Sequence, residues 1–179
     1  MTDQLDMVKV YNMTPHSVNI VTADFACATP TISFPATGNV LRLDSRPQQQ
    51  IATINRCVPL YECQSFTQLI MNEDALKDVV STAVNTTIAI IVSMPVGQWL
   101  AKRCNEESLS SPKNILVVGP DTGSGALRNK HGQIIGTTRL EHYATISPLG
   151  LCILCNNFVA PYSLEKAARV QDDDSCEFV

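Results

Sequence analysis

Residues 119 to 136, GPDTGSGALRNKHGQIIG, concentrate most of the side chains in this chain that could do chemistry. Asp121-Thr122-Gly123 is the triplet that aspartic proteases place around a catalytic carboxylate. There a second carboxylate shares one proton, because two anions that close do not both ionise. Such an enzyme needs the triplet directly after an apolar strand, and here Gly119 and Pro120 stand before Asp121. The IIG at 134 to 136 comes too soon to close a protease loop, and no second Asp-Ser/Thr-Gly occurs, so catalysis would require a homodimer. The loop also suits an anion cradle. Gly119, Gly123 and Gly125, with Thr122 and Ser124, are able to turn several amides to one side. Arg128 and Arg139 add guanidinium groups of the kind that grip phosphate or pyrophosphate through bidentate, charge-assisted bonds. The Lys-Ser/Thr ending of a Walker sequence and the Gly-x-Gly-x-x-Gly spacing of a dinucleotide site are both missing. The competing reading is a tight turn with both arginines on a wet face, paired with Glu141 or Asp121.

Elsewhere the chemistry is thinner. His16, His131 and His142 show no i, i+4 pair and no carboxylate at ligand spacing, so no metal site is expected. No Gly-x-Ser-x-Gly elbow occurs, and no cofactor is implied. Trp99 and Tyr143 suit either stacking on a ring or a place in the core. The seven cysteines are odd in number and no apolar signal segment follows Met1, which reads as reduced thiols in a cytoplasmic protein. CILC at 152 to 155 matches Cys-x-x-Cys, but Ile153 and Leu154 make it part of an apolar strand, with no second pair at zinc spacing.

The 179 residues suit one domain, and 13 basic residues face 17 acidic ones. The tail at 171 to 179 carries Asp172, Asp173, Asp174 and Glu177 without a base, leaving residues 1 to 170 with 13 of each sign. The expectation is a single β-rich domain over 1 to 170 and a disordered acidic tail over 171 to 179. A neutral body lacks the basic field for nucleic acid and the basic stripe for a membrane surface. The longest apolar run, from Ile88, is too short to span a bilayer. Any anionic partner is then small and held locally.

The elements that would position the loop follow from periodicity and punctuation. VKVYN (8 to 12) and SVNIVT (17 to 22), interrupted at Pro15, read as a hairpin or bulged continuation. TISF, NVLRL, QQIATIN and VPLYEC extend this into a β-meander with one wet face. NEDALKDVVSTAV is a helix capped by Asn72, with Leu76, Val79, Val80 and Ala83 on one stripe. After the strand TIAIIVS, Ser93 caps a second helix, MPVGQWLAKR. KNILVVG (113 to 119) reads as a strand buried on both faces. ALRN and residues 133 to 143 form a hairpin turning at Lys130 to Gly132, which sends Arg128 and Arg139 from opposite strands. They converge only if they share a sheet face. GLCILCNNFVAPY gives a last strand and SLEKAARV a weak helix. The fold class is α+β, mainly antiparallel β-sheet with two short helices.

Three stretches in order, VYNMTPHSVNIV, IIVSMPVGQ and VVGPDTGSGALRNKHGQIIGTTRLEHY, carry a resemblance. They are similar to small phage and bacterial proteins with an Asn-x-Thr-Pro-His opening strand, an apolar strand ending in Val-Ser before a helix, and a Pro-Asp-Thr-Gly loop with an Arg-bearing hairpin. That group resembles the phage anti-Thoeris proteins of the first type, which sequester cyclic ADP-ribose signals. The likeness covers about half the chain; residues 66 to 82 and everything after Tyr143 fall outside it. It implies a viral, anti-defence sponge: a non-catalytic β-rich protomer that forms a homo-oligomer around a nucleotide-derived signal, with arginines on the phosphates and an aromatic residue on the adenine. Arg128 and Arg139 match the phosphate role. The expected function is therefore binding of a small anionic, nucleotide-like ligand through Thr122, Gly123, Ser124, Gly125, Arg128 and Arg139, without catalysis. The alternatives are a viral structural or assembly protein, and a hydrolase using Asp121.

Overall fold

The computed structural model describes residues 8–21, 31–63, 65–106 and 114–156. The acidic tail, the helix expected at 163–170, Cys27 and Cys176 lie outside the described residues. In chain order the elements are β1 (Lys9–Asn12), β2 (Val18–Val21), β3 (Thr31–Phe34), β4 (Arg42–Ser45), β5 (Gln50–Ile54), β6 (Val58–Tyr61), β7 (Phe66–Ile70), α1 (Glu73–Ala83), β8 (Ile88–Ile91), α2 (Met94–Glu106), β9 (Ile115–Pro120), β10 (Ala126–Arg128), β11 (Ile134–Thr137), β12 (Leu140–Ile146) and α3 (Pro148–Leu154). The chain is α+β with strands predominating, as its periodicity indicates.

A four-stranded sheet in the order β1-β8-β9-β12 forms the middle layer. Its first three strands are parallel and β12 runs antiparallel to β9. On one face Ile88, Ile90, Ile115, Val117, Ala144 and Ile146 pack against α1, α2 and α3. On the other, Ile91 and Val118 meet Val18, Ile20 and Phe34 of a second sheet, ordered β10-β11-β2-β3. This double cover explains why all four residues of β8 are buried and why IAII shows no alternation. Asn72 caps α1 as its position indicates, accepting bonds from the amides of Asp74 and Ala75.

Several expectations are corrected. β1 and β2 form no hairpin: β1 pairs parallel with β8, while β2 belongs to the second sheet. The first half is therefore not one meander, and Phe66–Ile70 adds a strand, β7, that pairs with β4. The expected return strand from 133 to 143 breaks at Thr138 and Arg139, with β11 in the second sheet and β12 in the first. Cys152, Ile153 and Leu154 of CILC lie in helix α3, a third helix among the described residues, and Cys155 is its C-cap. Ser147 accepts a bond from the Gly150 amide and Pro148 occupies the first turn, while Pro148, Leu151 and Cys152 are buried at helical spacing.

At the β1 to β2 crossing the chain leaves one sheet for the other, and its polar groups are paired by a side chain. Asn12, 2% exposed, donates from Nδ2 to the carbonyls of His16 and Phe34, each at 2.8 Å. Its Oδ1 accepts from the Thr14 amide at 3.0 Å and the Thr14 hydroxyl at 2.8 Å. Asn12→Ala leaves buried donors and acceptors unpaired and is expected to lower stability by about 2 to 4 kcal/mol in urea denaturation. Asn12→Asp, nearly isosteric, sets an oxygen against two carbonyls and should destabilise at least as much.

Candidate functional site

β9 runs through Gly119 and Pro120 and delivers Asp121 straight into the loop, so Gly-Pro does not separate the strand from the aspartate as expected. The carboxylate is 3% exposed. It is covered by its own hydrogen-bond donors in a thin loop, not by deep burial. Oδ1 accepts from the Gly123 amide at 2.8 Å and Oδ2 from the Gly125 amide at 2.9 Å, with the Ser124 hydroxyl at 3.3 Å. Arg139 donates from Nε and Nη2 to Oδ2 at 2.8 and 2.7 Å, and from Nη2 to Ser124 Oγ at 2.6 Å. The glycine loop is thus an anion nest, and the anion is Asp121 itself. The Gly123 amide foremost, then the Arg139 guanidinium and the Gly125 amide, hold the Asp121 carboxyl below the usual carboxylate range against the opposing effect of desolvation.

Thr137 closes the other side. Its hydroxyl lies 2.9 Å from the Asp121 carbonyl, 3.0 Å from that of Arg139 and 3.2 Å from that of Gly125. Of the residues singled out in the sequence, the structure brings Gly123, Ser124, Gly125 and Arg139 together around Asp121. Gly119 sits in β9 opposite Glu141, and Thr122 is half-buried beside the clasp. Arg128 is elsewhere occupied: it donates from Nη1 to the Gly132 carbonyl at 2.8 Å and closes its own hairpin turn. Arg139 lies on no hairpin strand but on the passage between sheets, so the two arginines do not leave facing strands as expected. Thr137 carries no signal in the sequence; only the crossing between sheets makes it important.

Tyr143 is the extra residue of a bulge in β12, between His142 and Ala144, and the bulge aims its ring into a slot. A Cβ on Gly97 would collide with the ring, and one on Gly119 would lie 2.7 Å from Cε2, so both positions need glycine. The ring is therefore packed between α2 and β9 and is not a stacking platform. Its hydroxyl oxygen is buried without a hydrogen-bond partner. Burial first, and then the nearby Glu141 carboxylate, push the phenol pKa up, although Glu141 closes no hydrogen bond with it. Trp99 packs partly buried against the core with Arg103 5.4 Å from its ring centre. His142 Nε2 lies 2.9 Å from the Thr145 hydroxyl, and His131 sits exposed at the hairpin turn. Among the described residues no three His, Cys, Asp or Glu side chains gather as for a metal, and no helix is long and apolar enough to cross a membrane.

No family model, curated protein or solved structure matches the chain.

Two expectations follow from these geometries. Because its folded pKa is lowered, Asp121 contributes stability above the unfolded aspartate value of about 3.9 and loses it as pH falls through the lower folded value. Asp121→Asn should therefore lower the melting temperature at neutral pH, and the gap from wild type should narrow below about pH 3.9. Cys155, its thiol pushed up to about 12 by burial and then by Cys152, holds almost no thiolate at pH 8. Iodoacetamide followed by peptide mass spectrometry should label exposed Cys57 and Cys63 in the folded protein well before Cys155.

Proposed function

We propose that this protein is a non-catalytic binder of a small anionic, nucleotide-like ligand, of the signal-sequestering kind, with Arg139 as its phosphate anchor. One observation carries the reading: Arg139 is locked along one edge by Asp121 and Ser124 while its side chain remains 61% exposed. A guanidinium already held in place gives up less freedom when it grips a phosphate, so more of each charge-assisted bond survives as affinity. The amides of Gly123 and Gly125 serve Asp121, which moves the proposed contact from the glycine cradle to the arginine. Arg128, exposed on the neighbouring hairpin, is the second cation. The nucleotide character rests on the resemblance to the phage anti-Thoeris group.

The same clasp argues against a hydrolase. A carboxylate accepting from two amides, a hydroxyl and a guanidinium, with its pKa lowered, is a poor proton acceptor, and among the described residues no carboxylate is hydrogen-bonded to it. Exposed free thiols at Cys57 and Cys63 suit a reducing compartment such as the cytoplasm. The neutral body suits a small ligand better than nucleic acid. A viral structural or assembly role is the second reading, favoured by the exposed ribbon of β5 and β6.

Isothermal titration with ADP-ribose tests the proposal. Wild type should bind in the micromolar range, more weakly as salt rises. Arg139→Ala should lose at least tenfold and Arg128→Ala less, with circular dichroism unchanged. Absence of binding by wild type, or equal binding by Arg139→Ala, rejects the site. A peptidase activity abolished by Asp121→Asn would establish the hydrolase instead.

A further inference from the structure

β4 and β7 pair with each other, and β5 and β6 continue the same two chain segments outward as a second antiparallel pair. The base is anchored: Leu41 and Leu69 are buried in the main core. The outer part is not. Every residue of β5 and of β6 is exposed. The tip turns at Asn55 and Arg56, both at positive φ, with the Cys57 amide donating to the Ile54 carbonyl at 3.2 Å. This is the turn geometry that matches the twist of a two-stranded hairpin. An isolated hairpin is at best marginally stable in water. This one exposes Ile51, Ile54, Val58, Leu60 and Tyr61 at 41% to 57% each. Apolar surface of that extent on a protruding element marks a contact surface.

The composition of the ribbon selects its partner. From Pro47 to Tyr61 the only charged residue is Arg56, at the turn. A strongly basic or acidic partner finds no complement, and a lipid surface calls for the basic residues that accompany interfacial apolar segments. An uncharged, apolar surface is complementary to itself, which is what a two-fold contact requires. The two edges of the ribbon differ. Pro59 removes an amide from β6, and proline in a strand sits at an outer edge and blunts it. β5, Gln-Ile-Ala-Thr-Ile, has neither proline nor charge, and among the described strands it pairs with β6 alone, its Ala52 carbonyl also accepting from Gln50 Nε2 at 3.3 Å.

We infer that β5 is a self-association strand: two copies of this chain pair their β5 edges antiparallel about a two-fold axis, joining two ribbons into one four-stranded sheet. Cross-strand partners share a face. The registered pairs Ala52 with Leu60 and Ile54 with Val58 therefore form one apolar stripe in each ribbon, and the two-fold axis brings both stripes onto one side of the joined sheet. The inference is independent of Arg139 and of the ligand proposed for it.

Sedimentation velocity on the full chain under reducing conditions, over a concentration series, tests it. Wild type should form a dimer in the micromolar range. Ile51→Lys with Ile54→Lys should raise the dimer dissociation constant at least tenfold. Thr53→Pro, which breaks the edge without adding charge, should act in the same direction. Ile135→Lys, at an equally exposed residue on β11, should leave association unchanged. Circular dichroism of each variant checks that the body stays folded. A wild type monomeric throughout, or β5 variants that associate as wild type does, overturns the inference. A monomer that co-sediments with phosphatidylcholine vesicles also overturns it, by assigning the ribbon to a lipid surface.

Discussion

The structure depends on one requirement: a chain that passes between two face-packed sheets must pair its backbone polar groups where water does not reach them. Among the described elements the chain makes this passage at three places: from β1 to β2, from β9 to β10, and from β11 to β12. Each crossing is held by a short polar side chain. Asn12 and Thr14 serve the first, Asp121 the second, and Thr137 the second and third together. These four, with the α3 cap Ser147, are the described polar residues that are buried. Burying a polar group without a partner costs several times what an average hydrogen bond contributes, so the choice of residue at these points is narrow.

The Asp121 clasp shows how this requirement imitates chemistry. A carboxylate reaches three donors on its own loop and one guanidinium from the following crossing because glycine at 123 and 125 lets the backbone fold back on it. At Gly125 a Cβ would lie 2.8 Å from Asp121 Oδ2. The same Asp-Thr-Gly triplet supplies a nucleophile's base elsewhere because a second carboxylate stands opposite. Here an arginine does, and it lowers the pKa that a shared proton would raise. The clasp also fixes the orientation of Arg139, whose side chain stays exposed.

Order is unevenly distributed around this seam. The middle sheet is covered on both sides, and Tyr143 is wedged between Gly97 and Gly119, so α2, β9 and β12 are locked together. The ribbon of β5 and β6 has no such cover. Paired crossings beside an apolar projection divide the molecule into a part enclosed by its own packing and a part whose apolar side chains stay exposed.

Much of the fold was legible because it is written in local patterns. Asn72 followed by Glu73, Asp74 and a four-residue apolar stripe specifies α1; the runs at Ile88 and Ile115 specify strands; Asn129 to Gln133 turns the β10 and β11 hairpin. The apolar run of α3 reads as a strand in the sequence, since a short buried helix and a buried strand share one composition. Pairing was not legible. β1 joins β8 across some eighty residues, and periodicity does not say which distant strand lies beside which. The clasp was half legible. The sequence alone determined that Asp121, two glycine amides and two arginines are close in the chain. Only the tertiary structure decided that one arginine meets the carboxylate and the other closes a hairpin, because the passage of Thr138 and Arg139 from one sheet to the other sets where each guanidinium reaches.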